Sequence, residues 1–204
     1  FKGESPQFGS RFPKVKYELY LDIEDDPTQD FVYLHGIYLK ESTEENFVYF
    51  MANDNNNDSE KIAFKNLMDY ISSFNDGEYA VYYYSAHEKT NYKALQKKYP
   101  DVIAAETIET LFSSPNFIDL YNVVLKNTDW PLPSYSVKEI ARYLGFNWRD
   151  KSPSGALSIQ WFNEYINTKD ETIKKRILEY NEDDCKAMLV LKNALEKIKP
   201  DKNK

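Results

Sequence analysis

Two widely separated segments of the sequence place carboxylates where the surrounding pattern predicts the interior of a folded domain. The first is YLDIEDD, at residues 20–26, and the second is YNEDDCKAM, at residues 180–188. Hard divalent cations such as Mg²⁺ and Mn²⁺ prefer carboxylate oxygens as ligands. The chemistry that these two segments suggest is therefore metal binding and the reactions that a bound metal assists.

The first segment ends a predicted β-strand. Residues 15–24 alternate between apolar and polar side chains, and this period of two is a strand signal. Asp22 and Glu24 therefore leave the same face, roughly 6–7 Å apart along the strand. Two carboxylates on one face repel each other unless a cation or a proton lies between them. A solvated turn explains the same acids, and the spacing alone leaves both interpretations open.

The second segment lies on a predicted helix with one apolar stripe. The stripe is formed by Ile173, Ile177, Tyr180, Met188, Leu191, Leu195 and Ile198. Asp184 falls on the same stripe, where a bare carboxylate is unfavourable unless it is paired or bound to a metal. An N-cap role or an Arg partner would also account for it. The hydroxyl of Tyr180, one turn earlier, is expected to reach the same place, whereas Glu182 and Asp183 fall off the stripe and are expected to be solvated.

The other predicted elements must bring these two segments together. Further strands are predicted at 31–39, 46–52 and 78–85, and a helix is predicted at 60–74. From about residue 88 the chain is predicted to be mostly helical. Strands, a crossover helix, a fourth strand and a helical half are typical of one α/β or α+β unit.

Two capping boxes mark predicted helix starts in the second half of the chain. Ser136 and Glu139 begin one helix, which Gly145 ends as a C-terminal stop. The sequence TKDE, at residues 168–171, begins the long final helix, which is predicted to continue to about Ile198.

The composition bounds the class of protein. Hydrophobic residues make up 42% of the chain and charged residues 29%, as in ordinary globular domains, and there is no apolar run long enough to span a membrane. Cys185 is the only cysteine, which excludes an internal disulfide and fits a reducing compartment, so we expect a cytoplasmic location. The net charge of −7 argues against a basic phosphate-binding surface, unless the acids hold cations.

We expect a single domain at residues 15–198, between a leader at 1–14 and a tail at 199–204. No internal repeat and no break in composition divides this region. The sequence begins with Phe1 rather than Met, which suggests a domain cut from a longer chain.

The sequence resembles the tyrosine subclass of the DEDD exonuclease superfamily. LDIE resembles the first motif of that superfamily, and YNEDD resembles the third, Y-x-x-x-D. More closely, the chain resembles the YprB-type ribonuclease-H-like domains of predicted RecB-family nucleases, over most of residues 20–195. The matching segments are DIEDDP, YLHGIYL, YYYSAHE, FIDLYNVV, YSVKEIARYLGFNWRD, SGALSIQWFNEY and ILEYNEDDCKAM. The resemblance implies an α/β, ribonuclease-H-like fold with a mixed five-stranded sheet flanked by helices.

The resemblance also implies an activity. It is the 3′–5′ hydrolysis of phosphodiester bonds in single-stranded nucleic acid, with DNA favoured, by two Mg²⁺ or Mn²⁺ ions roughly 3.5–4 Å apart. The implied metal ligands are Asp22, Glu24, Glu88 and Asp184. Tyr180 would orient the attacking water, because a hydroxyl with a pKa of ~10 is a poor base at neutral pH. Neither histidine, His35 or His87, is then needed as a base.

The second motif of the superfamily is altered here. That motif is usually an Asn followed by an aromatic–Asp pair, after the fourth strand; here Glu88 stands at the position of the acid and no Asn precedes it where expected. A helix N-terminal acid, favoured by the macrodipole, is the alternative role for Glu88. Asp119, in FIDL, resembles a later Asp of the superfamily and is not counted as a ligand.

The expected partners are a nucleic-acid single strand or 3′ end and the remainder of a longer nuclease- or helicase-type chain. The main candidate contacts are Lys89, Lys93, Trp148 and Arg149, and further candidates are Lys97, Lys98, Lys138, Arg142, Lys151, Tyr83, Tyr92 and Trp161. Basic side chains neutralise phosphates and aromatic rings stack on bases. For any one of these residues on its own, a solvated face or a core ring is the preferred explanation.

Two other functions fit the same sequence. The altered second motif leaves open a catalytically inactive nucleic-acid-binding or scaffold domain of a larger nuclease. A metal-dependent phosphohydrolase acting on nucleotides is the third interpretation, and activity on nucleotide esters without activity on oligonucleotides would distinguish it.

Overall fold

The computed structural model describes residues 12–198, over which the chain forms five strands and seven helices. The strands are β1 (Tyr17–Asp26), β2 (Phe31–Glu41), β3 (Glu44–Met51), β4 (Tyr79–Tyr83) and β5 (Phe117–Asp119). The helices are α1 (Asn57–Ser72), α2 (Ala86–Lys98), α3 (Ala105–Ser113), α4 (Leu120–Asn127), α5 (Val137–Tyr143), α6 (Gly155–Thr168) and α7 (Glu171–Lys197). Every strand and helix predicted above from periodicity is present, within a few residues of its predicted bounds.

The strands form one mixed sheet in the order β3-β2-β1-β4-β5. The pairs β1–β2 and β2–β3 are antiparallel, whereas β1–β4 and β4–β5 are parallel. The helix α1 makes the crossover between the antiparallel and the parallel half. The predicted α/β class, with a mixed five-stranded sheet flanked by helices, is therefore confirmed.

The central strand β1 presents different chemistry to the two faces of the sheet. Its odd-numbered residues, Leu19, Leu21 and Ile23, belong to a buried apolar cluster that includes Phe64 and Leu67 of α1. On the opposite face, its even-numbered residue Tyr20 packs in a cluster with Met188 and Leu191 of α7. Since side chains alternate along a strand, the face that α7 covers is also the face of Asp22 and Glu24.

A glycine lets α7 lie close to the sheet beside these acids. Gly36 of β2 stands opposite Asp22 in the antiparallel register. A Cβ atom at Gly36 would lie 1.7 Å from the side-chain oxygen of Asn181, on α7. The missing side chain of Gly36 is therefore what leaves room for Asn181 to reach β1.

One of the two predicted helix starts is confirmed and the other is wrong in detail. The hydroxyl of Ser136 accepts a hydrogen bond from the backbone N–H of Glu139 at 3.2 Å, and Gly145 adopts φ +90° just beyond the end of α5. Thr168, in contrast, is the last residue of α6. The helix α7 begins at Glu171 with Asp170 as its N-cap, whose carboxylate accepts from the N–H of Thr172 at 2.7 Å. Aspartate is the stronger N-cap, which explains the shift.

The predicted leader and tail lie mostly outside the described residues, which exclude 1–11 and 199–204. Phe12 is buried, with its ring edge-on to that of Tyr82 at 5.8 Å. None of the helices within residues 12–198 has both the length and the apolar character that a membrane span requires. The domain limits remain predictions.

We predict that Gly36→Ala lowers the free energy of unfolding by about 1–3 kcal/mol, because the added methyl group overlaps Asn181 in a packed interior. Urea denaturation followed by circular dichroism measures the change. Gly155→Ala is the matched control, since a Cβ there meets nothing within 4 Å and the residue lies in the first turn of α6. Equal stability of the two variants would contradict the close approach of α7.

Candidate metal centre

Three carboxylates from two distant parts of the chain converge at one place. Asp22 and Glu24 lie on β1, and Asp184 lies on the face of α7 that packs against this strand. One carboxylate oxygen from each of the three residues lies within 4.8 Å of the corresponding oxygens of the other two. Glu24 and Asp184 are buried, and Asp22 is half-buried. An all-oxygen donor set of this size fits a hard divalent cation such as Mg²⁺ or Mn²⁺.

Burial makes the charged form of these acids unfavourable. It raises the pKa of Glu24 to about 8, and the neighbouring charge of Asp184 adds to this effect. Burial also raises the pKa of Asp22 well above its usual value, with the charges of Asp184, Glu24 and Glu88 adding to it. The pKa of Asp184 is raised by burial too, against the opposing effect of Lys138. A bound cation would favour the ionised form of all three.

The acids from β1 share a hydrogen-bond donor that the sequence analysis did not identify. The Asn181 amide nitrogen donates to Asp22 at 2.8 Å and more weakly to Glu24 at 3.4 Å. Asn181 precedes Asp184 by three residues, which places the two on neighbouring turns of one helix face. The three-residue spacing from Asp184 is the sequence signal that points to Asn181. It becomes informative only with the contact between Gly36 and α7, which no local sequence pattern predicts.

Asp184 is fixed by two donors from the α5 region. The indole N–H of Trp148 donates to one carboxylate oxygen at 2.7 Å, and the Lys138 ammonium donates to the other at 3.0 Å. The same ammonium donates to the Tyr180 hydroxyl at 3.0 Å. Tyr180 therefore reaches the same place as Asp184, as the helix stripe predicts.

The predicted solvation of Asp183 is wrong. Asp183 is 3% exposed, and its carboxylate accepts hydrogen bonds from the backbone N–H of Arg149 at 2.8 Å and from its guanidinium at 2.9 Å. Glu182 is half-buried, and the same guanidinium donates to it at 2.7 Å. A partner 34 residues earlier in the chain thus makes burial of Asp183 possible.

Trp148, a predicted base-stacking ring, lies in the interior, and its stacking role remains a prediction. Trp148 is buried, and its N–H is committed to Asp184. The other candidate rings, Tyr83, Tyr92 and Trp161, are also buried and belong to the apolar clusters. The reason is the core itself, since the aromatic residues fill both faces of the sheet.

The predicted basic contacts lie in different surroundings. Lys89 follows Glu88 in the first turn of α2, and Lys93, one turn later, forms an ion pair with Glu109 at 2.6 Å. The guanidinium of Arg149 is occupied by Glu182 and Asp183. A nucleic-acid contact by any of the three remains a prediction.

Glu88 lies near the three acids but outside their group. It is in the first turn of α2, is 3% exposed, and its charge contributes to the raised pKa of Asp22. Burial raises the pKa of Glu88 itself to about 8. Among the described residues, its Oε2 atom has no hydrogen-bond partner. An unpartnered buried carboxylate oxygen fits a ligand position, and its assignment as a ligand remains a prediction.

Asp119 and the two histidines hold supporting positions. Asp119 caps α4 and also accepts from the backbone N–H of Ser85 at 2.9 Å, which fixes the turn before Glu88. His87 contacts Asp25 at 2.8 Å, and this hydrogen bond raises the pKa of His87. His35 is buried, which lowers its pKa to about 3 and keeps it neutral at physiological pH.

The converging side chains line a cavity of about 310 Å³. Its wall consists of Asp22, Ile23, Glu24, Asp25, His87, Lys138, Gly155, Ile159, Tyr180 and Asp184. The cavity thus combines carboxylates, one ammonium group and the tyrosine hydroxyl. Such a set can hold cations on one side and face an anionic substrate on the other.

Comparison with protein families identifies the family to which the chain belongs. A family described as the RNase H superfamily matches residues 19–196, which include both acidic segments and all of the sheet except the first two residues of β1. Nucleases of this kind act on nucleic acid with divalent metals, and the three-acid group supplies a place for such an ion. Searches among curated proteins and among solved structures returned no significant match.

We predict that, in EDTA, the free energy of unfolding falls as the pH rises from 5.5 to 7.5. Glu24 and Glu88 have folded-state pKa values of about 8, above the usual 4.5, so the folded protein retains protons that the unfolded chain has already released. Their contribution is full below the unfolded-state pKa and is lost as the pH rises through the folded-state pKa, at up to about 1.4 kcal/mol per pH unit for each carboxyl.

Urea denaturation at several pH values measures this slope. The variant Glu24→Gln, which has no carboxyl to titrate, should have a smaller slope than the parent. Added Mn²⁺ should stabilise the parent most at pH 7.5, where the cation replaces the protons. An unfolding free energy that is constant over this pH range in EDTA would show that the acids are not held as described.

Proposed function

The chain belongs to the RNase H superfamily, and from this premise we propose that it is a metal-dependent 3′–5′ exonuclease acting on single-stranded nucleic acid, with DNA favoured. The observation that carries the proposal is the convergence of Asp22, Glu24 and Asp184 within 4.8 Å, in a cavity that Tyr180 also lines. Direction and strandedness rest on the resemblance of LDIE and YNEDD to the tyrosine subclass of DEDD exonucleases. The likeness to YprB-type domains of RecB-family nucleases is part of the same proposal.

The metal would be held by the acids of β1 and α7. Asp22, Glu24 and Asp184 would bind Mg²⁺ or Mn²⁺, and Glu88 would complete the set for a second ion. When bound, such ions activate a water molecule and stabilise the charge that develops on the leaving oxygen. Asn181 orients the β1 carboxylates, while Trp148 and Lys138 orient Asp184.

Tyr180 would orient the attacking water. Burial and the nearby acids raise the pKa of its hydroxyl above the usual 10, so the group keeps its proton at neutral pH. A protonated hydroxyl donates and accepts hydrogen bonds but does not act as a base. Its position beside Asp184 supports this role, because a water molecule in the cavity would lie within reach of both groups.

The acidic net charge of the chain is compatible with an anionic substrate. Four carboxylates and two divalent ions cancel in formal charge, so the loaded site no longer repels a phosphodiester. Two bound divalent ions would reduce the formal net charge from −7 to −3, and the Debye length of about 8 Å at physiological salt limits the reach of the charge that remains.

One observation favours a second candidate, a catalytically inactive nucleic-acid-binding domain. Glu88 replaces the usual Asp and lies outside the group of three acids. A domain of this kind would bind oligonucleotides and leave them intact in every divalent metal. The raised pKa values of the acids support the enzyme instead, since an idle site would retain unfavourable burial without a cation to offset it.

We predict that the protein degrades 5′-labelled single-stranded DNA from its 3′ end in Mn²⁺ or Mg²⁺, and that EDTA stops the reaction. Asp184→Asn should lower the rate at least about 100-fold, because even residues that only hydrogen-bond to metal ligands contribute 10–100-fold. A gel time course on labelled DNA and RNA measures the rate and the sugar preference. Glu164→Gln is the control, an exposed carboxylate on α6 away from the cavity.

Three results would contradict the proposal. Intact substrate in all metals, with oligonucleotide binding retained, would favour the inactive domain. Fragments that appear inside the labelled strand, without a ladder that shortens from the 3′ end, would indicate an endonuclease. Release of phosphate from nucleotide monoesters alone would favour a nucleotide phosphohydrolase.

A further inference from the structure

Lys138 is held at the edge of the acidic cavity by several groups at once. Its ammonium donates to Asp184 and to the Tyr180 hydroxyl, each at 3.0 Å. It also lies 5.0 Å from the centre of the Tyr180 ring and 5.7 Å from that of Trp148, within the range of cation–π attraction. The side chain is 28% exposed, so Lys138 is held by these groups without being fully buried.

Two hollows of the surface meet at this residue. Lys138 lines the acidic cavity of about 310 Å³, and it also lines a second groove of about 500 Å³. The groove is formed by Tyr84, Ser85, Tyr121, Ser134, Tyr135, Ser136, Val137 and Lys138. A chain molecule that occupied both hollows would pass directly over the ammonium.

The groove has the chemistry of a nucleotide-binding surface. Among the described residues, its wall carries three tyrosines, three serines and a single charged side chain, that of Lys138. The rings of Tyr84 and Tyr121 lie 5.5 Å apart, tilted by 54°, and both are half-buried. Half-buried rings leave a face for base stacking, which accepts any base, and hydroxyl groups hydrogen-bond to sugar and phosphate.

If two divalent ions neutralise the four acids, a phosphodiester of a bound strand still needs a cationic partner in the cavity or the groove. Two divalent ions would balance the four acids, whereas each phosphodiester of a bound strand would add one negative charge. Among the described residues that line the acidic cavity, the basic side chains are His87, which is tied to Asp25, and Lys138. The ammonium of Lys138 is thus the cation available to a phosphate at the junction.

We propose that Lys138 binds a backbone phosphate of the nucleic-acid strand where the strand passes from the tyrosine groove into the acidic cavity. This inference rests on the proposed function and adds a phosphate-binding residue and a strand path to it. In the metal-loaded site, the ammonium attracts the phosphate and repels the metal ions. Removing its charge therefore has opposite effects on the two ligands, which a purely structural role would not produce.

The test compares Lys138→Gln with the parent in two binding measurements. Binding of a fluorescent single-stranded oligonucleotide is measured in Ca²⁺, whose flexible coordination disfavours hydrolysis. We expect the Kd to rise about 10–100-fold, the loss of one charge-assisted hydrogen bond. Binding of Mn²⁺ alone, followed by calorimetry, should become about threefold tighter or more, because a positive charge has left the site.

Two further variants complete the design. Lys138→Arg keeps the charge and should retain most of the affinity for the oligonucleotide. Lys126→Gln removes an exposed lysine of α4 that lines neither hollow, and it should leave both constants unchanged.

The outcomes separate this inference from the proposed function. If the parent degrades DNA and Lys138→Gln binds the oligonucleotide as tightly as the parent, the inference fails and the exonuclease stands. If Lys138→Gln weakens Mn²⁺ and oligonucleotide binding together and lowers the unfolding free energy, Lys138 is structural and the inference fails. If the parent binds neither Mn²⁺ nor oligonucleotide, both the proposed function and the inference about Lys138 are refuted.

Discussion

The unfavourable energy of burying carboxylates side by side is the interaction on which the rest of this structure depends. Asp22, Glu24 and Asp184 converge within 4.8 Å, and burial is the largest cause of the raised pKa of each. Hydrogen bonds from Asn181, Trp148 and Lys138 offset part of this energy, yet the pKa values remain raised. The site therefore favours the arrival of positive charge, either as protons at low pH or as a divalent cation at neutral pH.

The fold supplies the rigid frame that keeps the acids together. The strand β1 lies at the centre of the sheet, with β2 on one side and β4 on the other, so Asp22 and Glu24 cannot separate without breaking the sheet. The 27-residue helix α7 crosses the same face and brings Tyr180, Asn181 and Asp184 to it. Gly36 sets the distance between the two elements. A metal site built on a central strand and a long helix is more precisely held than one built on loops.

The parts of the site that the sequence predicts are those encoded by local periodicity. The period of two in β1 places Asp22 and Glu24 on one face, and the period of 3.6 in α7 places Tyr180 and Asp184 on another. The convergence of the two faces follows from the superfamily resemblance, which supplies the topology that periodicity lacks. The sheet, its mixed character and the flanking helices agree with that expectation.

The parts that sequence reasoning missed depend on partners far away in the chain. Asp183 is predicted to be solvated because it falls off the apolar stripe, whereas Arg149 binds it from the segment between α5 and α6. Trp148 is interpreted as a stacking ring because the local sequence does not show its hydrogen-bond partner, Asp184, which lies 36 residues later in the chain. The role of Asn181 depends on its close contact with Gly36, which the sequence alone does not show. In each case a tertiary contact determines the role of the residue, and the local sequence does not predict that contact.

A crystal structure with Mn²⁺ and a nucleoside monophosphate would test directly whether these acids form a binding site for divalent cations. An anomalous difference map locates Mn²⁺ independently of any assumption about its ligands. We predict a peak bound by oxygens of Asp22, Glu24 and Asp184, and a second peak that involves Glu88. A map without Mn²⁺ at the three acids, at a concentration that saturates other sites, would show that they do not form a metal site.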